Sequence, residues 1–291
     1  MNVPLVFIHM SRENNIEYCL RQAAYVNPYR EIILLGDEAN VCFGSFISWR
    51  NLADYMDGWS LFAEVYRHRS PNNVKLEMLC FLRWFVLKNC MRLHHLNAAF
   101  YSDSDNLFYA DISPYEKVFR HVDMAIGQYP EREDDFHYVV SPNFTYITLG
   151  CIKLLCGFFV QLYKHDLKYI YAVSEAQKKA GGVPSISDMS AIGKFVKERR
   201  KTLKMANSFE EIDGSLVDDN VNSQRGPNGQ RFALRDGIKD IVFQDGRPVC
   251  LDLEENRRHV FNALHFQGKA KKQIPAYYTG PAFEPVAKTP C

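Results

Sequence analysis

Unbroken apolar runs, separated by helical stripes, dominate the first 110 residues and narrow the fold more than any other feature. Val3 to His9 is one such run, Glu31 to Asp37 a second, and Ala98-Ala99-Phe100-Tyr101-Ser102 a third, with a shorter strand expected around Phe46 to Trp49. Between them, Glu13 to Tyr25 carries Ile16, Leu20, Ala23 and Ala24 at helical spacing, and Asn73 to Met91 reads as a long helix. A strand apolar at every position has no face for water, so it belongs in a parallel sheet covered by helices on both sides. The spacing therefore predicts an α/β fold with a mixed, mainly parallel central sheet. In such sheets ligands gather beyond the carboxyl ends of the strands. His9, Asp37 and Asp103 fall at those ends.

From residue 111 the pattern loosens. Asp123 to Gly127 reads as a strand, residues 130 to 137 as a charged loop, and Leu149 to Tyr163 and Asp188 to Glu198 as helices. Arg199 to Lys204 is taken as a solvated helix end, and Asn220 to Gln230 as a loop or hairpin tip. Val242 to Leu251 predicts a hairpin turning at Gln244-Asp245-Gly246-Arg247, because an Asp-Gly pair supplies the positive φ angles of a tight turn. There is no internal repeat.

The chain has 291 residues, 47% of them hydrophobic and 24% charged, which is ordinary globular composition and ample for a large core. A net charge of +1 gives no support for a nucleic-acid partner. The eight cysteines show no Cys-x-x-Cys spacing, and Cys80 and Cys90 lie within a helical pattern, as reduced buried thiols do. The apolar run from Ile152 to Tyr163 is too short to cross a bilayer, and Met1 to Ile8 reads as a strand in preference to a secretion signal. A cytoplasmic protein of a bacterium or virus, in a reducing compartment and without a transmembrane segment, is the expectation.

Chemistry concentrates in two motifs. Asp103 and Asp105 close the run Phe100-Tyr101-Ser102-Asp103-Ser104-Asp105, and the two-residue period of a strand turns both carboxylates to one side. Paired carboxylate oxygens suit Mg²⁺ or Mn²⁺. The same pair also arises where a strand simply ends in an Asp-capped turn. Far downstream, His265-Phe266-Gln267-Gly268-Lys269-Ala270-Lys271 supplies an imidazole, a glycine that permits close backbone approach and a lysine suited to a diphosphate.

Together the motifs resemble the GT-A glycosyltransferases, especially the glycogenin-like branch. The resemblance implies Asp103, Asp105 and His265 as ligands of Mn²⁺ or Mg²⁺, with Gly268 and Lys271 on the diphosphate of a nucleotide sugar, UDP-sugar being the expected donor. It implies one continuous domain, with a donor-binding half at residues 1–110 and an acceptor-binding half at 111–291. One departure stands out: the branch continues Lys-Pro-Trp where this chain has Lys271-Lys272-Gln273.

Other positions join on the same resemblance. His9, Ser11 and Arg12 follow the first strand, where the nucleoside would sit, although Ser11 is equally suited to cap the next helix. Lys75 and Arg83 lie eight residues apart on one helix, which reads as a shared face reaching the donor or as members of an ordinary salt bridge. Asp188 is a helix cap or a carboxylate of the acceptor site, either binding the acceptor or serving as the base of an inverting reaction, and Asn143 to Gly150 would line the acceptor cleft. Asp218 and Asp219 are weaker candidates. The expected activity is transfer of a sugar to a glycan or glycoconjugate hydroxyl, leaning retaining. The rivals are a haloacid-dehalogenase-like phosphohydrolase, which also sets Asp-x-Asp after an apolar strand, and a non-catalytic sugar-binding protein.

Overall fold

In the first strand, β1 (Leu5–His9), successive side chains point to opposite layers: Val6 joins one buried cluster, while Leu5 and Phe7 join another. The computed structural model describes residues 2–13, 15–129, 140–179, 181–226 and 229–283, and the same two-sided burial recurs across its large sheet. The elements in order are β1, α1 (Ile16–Val26), β2 (Ile32–Gly36), β3 (Ser48–Asn51), α2 (Trp59–Val65), α3 (Val74–Leu93), β4 (Ala98–Ser102) and β5 (Asn106–Phe108). Next come α4 (Ser113–Phe119), β6 (Met124–Gln128), β7 (Val140–Thr148), α5 (Leu149–His165), α6 (Leu167–Lys179), α7 (Asp188–Arg199), β8 (Met205–Asn207) and β9 (Ser215–Val217). Then follow β10 (Leu234–Arg235), β11 (Ile238–Lys239), β12 (Val242–Gln244), β13 (Arg247–Asp252), β14 (Arg257–His265) and α8 (Ile274–Tyr277).

Among the described residues, seven strands form the central sheet in the order β3-β2-β1-β4-β7-β6-β8. β1 runs parallel to both β2 and β4, and β2 parallel to β3, as the apolar runs predict. β7 is antiparallel to β4 and β6, so the sheet is mixed on that side. Helices cover both faces. Ile33, Leu35 and Tyr101 pack with α3 and α5 residues, while Leu34, Phe100 and Phe144 pack with Ile16, Leu20 and Tyr115.

A smaller sheet, β12-β13-β14-β5 with β9 alongside β14, has its own apolar cluster that includes Leu107, Phe232, Phe261, Leu264 and Phe266. β4 belongs to the large sheet and β5 to the small one, with only residues 103–105 between them. The acidic pair therefore sits on the turn where the chain crosses from one sheet to the other. Asn106 pins that crossing: its Nδ2 donates to the Asn143 carbonyl at 2.6 Å and to Ser102 Oγ at 3.0 Å.

The hairpin expected at Gln244 to Arg247 forms between β12 and β13, with Asp245 and Gly246 at φ of 50° and 74°, the positive values that a two-residue turn requires. Elsewhere the structure corrects the sequence reading. Asn143 to Thr148 belongs to β7 and is largely buried in the sheet, so it is not an open acceptor wall. Cys80 is only partly covered, unlike buried Cys90. The charged loop at residues 130–137 lies outside the described residues.

Phe62 is the hub of the larger core, fully buried and in ring contact with Trp59, Tyr66, Phe81, Phe85, Phe159 and Tyr163. Removing it leaves a cavity that rigid rings cannot close, so Phe62→Ala is expected to cost about 3–5 kcal/mol in equilibrium denaturation. A loss below about 1 kcal/mol would show that α2 is not held by this cluster.

Candidate active site

β14 pairs antiparallel with β5 in a register that sets His265 opposite Asn106 and Leu264 opposite Leu107. Phe266 N–H then donates to the Asp105 carbonyl at 3.0 Å, so the end of β14 is clamped onto the acidic turn. The imidazole is thereby brought across 160 residues of sequence onto the carboxylates. His265 Nε2 lies 3.2 Å from Asp105 Oδ1 and 3.9 Å from Asp103 Oδ2, and these donor atoms all lie within 4.8 Å of one another.

The remaining atoms of the trio are already engaged. Asp103 Oδ1 accepts from Tyr101 Oη at 2.5 Å and from Arg83 Nη1 at 2.8 Å, leaving Oδ2 to face the imidazole. His265 Nδ1 lies 2.6 Å from the Asp219 carbonyl, which can only accept, so Nδ1 carries the proton and Nε2 offers its lone pair to the carboxylates once the ring is neutral. Two carboxylate oxygens and an imidazole nitrogen directed at one point fit Mn²⁺ or Mg²⁺.

In the absence of a cation the trio is an ion pair. Burial pulls the His265 pKa down, but the Asp105 charge, its hydrogen bond and Asp103 outweigh burial and raise it to about 9. Burial pushes the Asp105 carboxyl up, yet His265 and Lys271 hold it below the ordinary carboxylate value.

Lys271 completes the group. Gly268 has a φ of 59°, in the left-handed region that favours glycine, and opens a 3₁₀ turn over Gly268–Gln273. That turn repeats every three residues, so Gly268 and Lys271 stand on one face, and Lys271 Nζ folds back to 3.5 Å from Asp105 Oδ2 and 3.4 Å from Glu13 Oε2.

A cleft of about 370 Å³ runs past this group, lined among others by Ile8, His9, Met10, Ser11, Leu76, Leu79, Cys80, Arg83, Asp103, Asp105 and Lys271. His9, at the end of β1, places Nδ1 2.9 Å from Ser104 Oγ, the residue between the two aspartates. Burial lowers its pKa, so it is neutral at physiological pH. Ser11 is not the cap of α1, whose N-cap is Asn15. Instead Ser11 has a φ of 67°, and its N–H donates to Asp37 Oδ2 at 2.6 Å.

Four sequence expectations fare differently. Arg83 enters the cleft through a stripe with Leu76, Leu79 and Cys80, whereas Lys75 does not line it and stays exposed at the start of α3. Eight residues at about 100° each leave these two side chains about 80° apart around the helix, enough to separate their surroundings. Arg12 also lies outside the cleft lining, with its guanidinium 5.9 Å from the Phe43 ring.

Asp188 opens α7, is only 2% exposed, and its Oδ2 accepts from Arg83 Nη2 at 2.5 Å and Trp84 Nε1 at 3.2 Å. Its carboxylate is thus committed to Arg83, which passes the constraint on to Asp103. A positioning carboxylate fits that geometry, and a free base does not. Sequence reasoning missed Tyr101 and Glu13 and ranked Asp219 low, because their roles depend on contacts between distant segments that no local pattern encodes.

No protein-family model matches this sequence, and no curated protein matches it. Among solved structures, the chain is similar in fold to mouse xyloside xylosyltransferase 1 in its apo form, at 10% identity and a TM-score of 0.46, covering 75% of this chain and 87% of that one. It is also similar to the galactosyltransferase LgtC in complex with donor and acceptor sugar analogues, at 12% identity and a TM-score of 0.38, covering 71% and 73%. No helix among the described residues is long and apolar enough to cross a membrane.

The raised His265 pKa has a thermodynamic sign. Its stabilisation is fully present below the ordinary value of 6.5 and is lost as pH rises through about 9. Metal-free protein is therefore expected to lose about 1–3 kcal/mol of stability across that interval. His265→Gln should flatten the slope in pH-dependent urea denaturation, and an unaltered slope would take His265 out of the account.

Proposed function

We propose that this protein is a GT-A glycosyltransferase that uses a divalent cation to move a sugar from a nucleotide diphosphate, with UDP-sugar the expected donor, onto a hydroxyl of a glycan or glycoconjugate. The single observation that carries this reading is the convergence of Asp103 Oδ2, Asp105 Oδ1 and His265 Nε2, with the opposite imidazole nitrogen hydrogen-bonded to the Asp219 carbonyl. Mn²⁺ or Mg²⁺, when bound there, supplies positive charge against a departing diphosphate.

The chain's own residues do the remainder. Asp103, fixed by Tyr101 and Arg83, and Asp105, fixed by its own turn, present one oxygen each. Lys271 is held beside Asp105 by Glu13 and can exchange that partly exposed carboxylate for a phosphate oxygen. Gly268 sets the turn that aims the lysine. His9 and Ser11 form the nucleoside end of the same cleft, and Ile8, Leu76 and Leu79 give it an apolar wall that shelters charge from water.

A retaining outcome agrees with this arrangement, because Asp188 is engaged by Arg83 and Trp84 and unsuited to take a proton from an acceptor. The phosphohydrolase alternative gains nothing from the site, where an imidazole and an ammonium group crowd the aspartate pair.

The decisive experiment is diphosphate release from a panel of nucleotide sugars with Mn²⁺ present or chelated. Chelation should abolish turnover, and Asp105→Ala should lower it at least about a hundredfold. Wild-type rates from that variant would refute the reading, and cation-dependent donor binding without turnover would identify a sugar-binding protein instead.

Cation binding should also be pH-dependent. Only the neutral ring accepts a cation, so Mn²⁺ must displace the His265 proton whenever the pH lies below about 9. The apparent Mn²⁺ affinity should therefore rise about tenfold per pH unit through neutrality, levelling off near that value, as read by calorimetry. A pH-independent affinity between pH 6.5 and 9 would exclude His265 as a ligand.

A further inference from the structure

Lys239, on β11, is fully buried, and neither it nor its aspartate partners line the cleft. Its Nζ lies 2.8 Å from Asp218 Oδ1 and 3.6 Å from Asp219 Oδ1, and donates to the Asn220 carbonyl at 2.6 Å. Its backbone N–H donates to the Val221 carbonyl at 2.7 Å. One residue thus ties down four consecutive positions, 218 to 221.

Those four positions bracket His265. Asp218 N–H donates to the Ala263 carbonyl at 2.9 Å, and Val221 N–H to the His265 carbonyl at 3.0 Å. His265 N–H approaches Asp218 Oδ2 at 3.4 Å, and its Nδ1–H donates to the Asp219 carbonyl at 2.6 Å. Burying an ammonium and two carboxylates away from water is costly, and replacing such a group by apolar side chains is often harmless to stability. The triad therefore calls for an explanation other than stability, and its clearest consequence is the orientation of one imidazole ring.

We propose that Lys239 is a positioning residue for the divalent-cation site: it clamps Asp218, Asp219 and Asn220 so that the Asp219 carbonyl holds His265 with Nε2 facing Asp103 and Asp105. The inference rests on the cation reading of that site. Hydrogen-bond partners behind a metal-binding imidazole set its tautomer and direction, and losing them typically weakens metal binding about ten- to a hundredfold.

The test compares Lys239→Met, and the double variant Lys239→Met with Asp219→Asn, against wild type. Both lose the clamp, but the double variant keeps the triad's net charge, so it separates positioning from the electric field. Three quantities are read on the full chain without substrate: free Mn²⁺ by electron paramagnetic resonance, the ¹⁴N modulation of bound Mn²⁺ that reports direct imidazole coordination, and thermal unfolding without metal.

Both variants should fold, bind Mn²⁺ about ten- to a hundredfold more weakly and lose or reduce the ¹⁴N modulation. Wild-type affinity and modulation in either folded variant would overturn the proposal. If neither variant folds, the triad is a stability element and the proposal fails. Failure of the underlying reading looks different: wild type itself would bind no Mn²⁺, or bind it with no ¹⁴N modulation and no sensitivity to Asp105→Ala.

Discussion

The pairing of β14 with β5 is the contact on which the candidate site depends. β5 is only three residues long, yet its backbone bonds decide which residue of a distant strand lies beside the acidic turn. A slip of one residue would turn His265 to the opposite face of the small sheet and put Leu264 in its place. The register is held from both sides: Leu264 and Leu107 are buried in the small-sheet cluster, and Asn106 is bonded back to Ser102 and Asn143 of the large sheet. Packing that looks purely structural therefore sets the spacing of the candidate cation-binding atoms.

Around that contact, charge is distributed in two buried networks that meet at the aspartate pair. On one side Asp188, Arg83, Tyr101 and Asp103 form a chain of short hydrogen bonds. On the other, Lys239, Asp218 and Asp219 stand behind His265. Each network engages an atom that faces away from the site, Asp103 Oδ1 on one side and His265 Nδ1 on the other, and leaves Asp103 Oδ2 and His265 Nε2 facing each other. Buried polar groups are costly when unpaired, so these contacts narrow the two side chains to few orientations. Preorganisation of that kind is what a site needs when it must act on charge without rearranging.

The sheet was readable because burial on both faces leaves a one-dimensional trace, an unbroken apolar run over Leu5 to Ile8 of β1 and Ile32 to Gly36 of β2. The Asp-Gly turn between β12 and β13 was readable because its positive φ angles restrict residue choice locally. Less legible were the short strands β5, β9, β10 and β11, each two or three residues long and without a period of its own. β5 and β9 exist because β14 offers them backbone partners, and β10 and β11 because they pair with each other. The shared face expected for Lys75 and Arg83 failed for a related reason, since helical spacing gives an angle but not the neighbour that an angle meets.

Residue types and their positions along the chain determined the two-layered burial of the sheet, the acidic pair at the end of β4 and the presence of an imidazole, a glycine and a lysine in a three-residue rhythm near the other end. Only the tertiary structure decided that these motifs share one site, that Asp188 serves Arg83, and that a buried lysine stands behind the histidine. Local sequence specifies dihedral preference and burial, which act over a few residues. The distance between Asp105 and His265 is set by strand register and core packing summed over the whole chain.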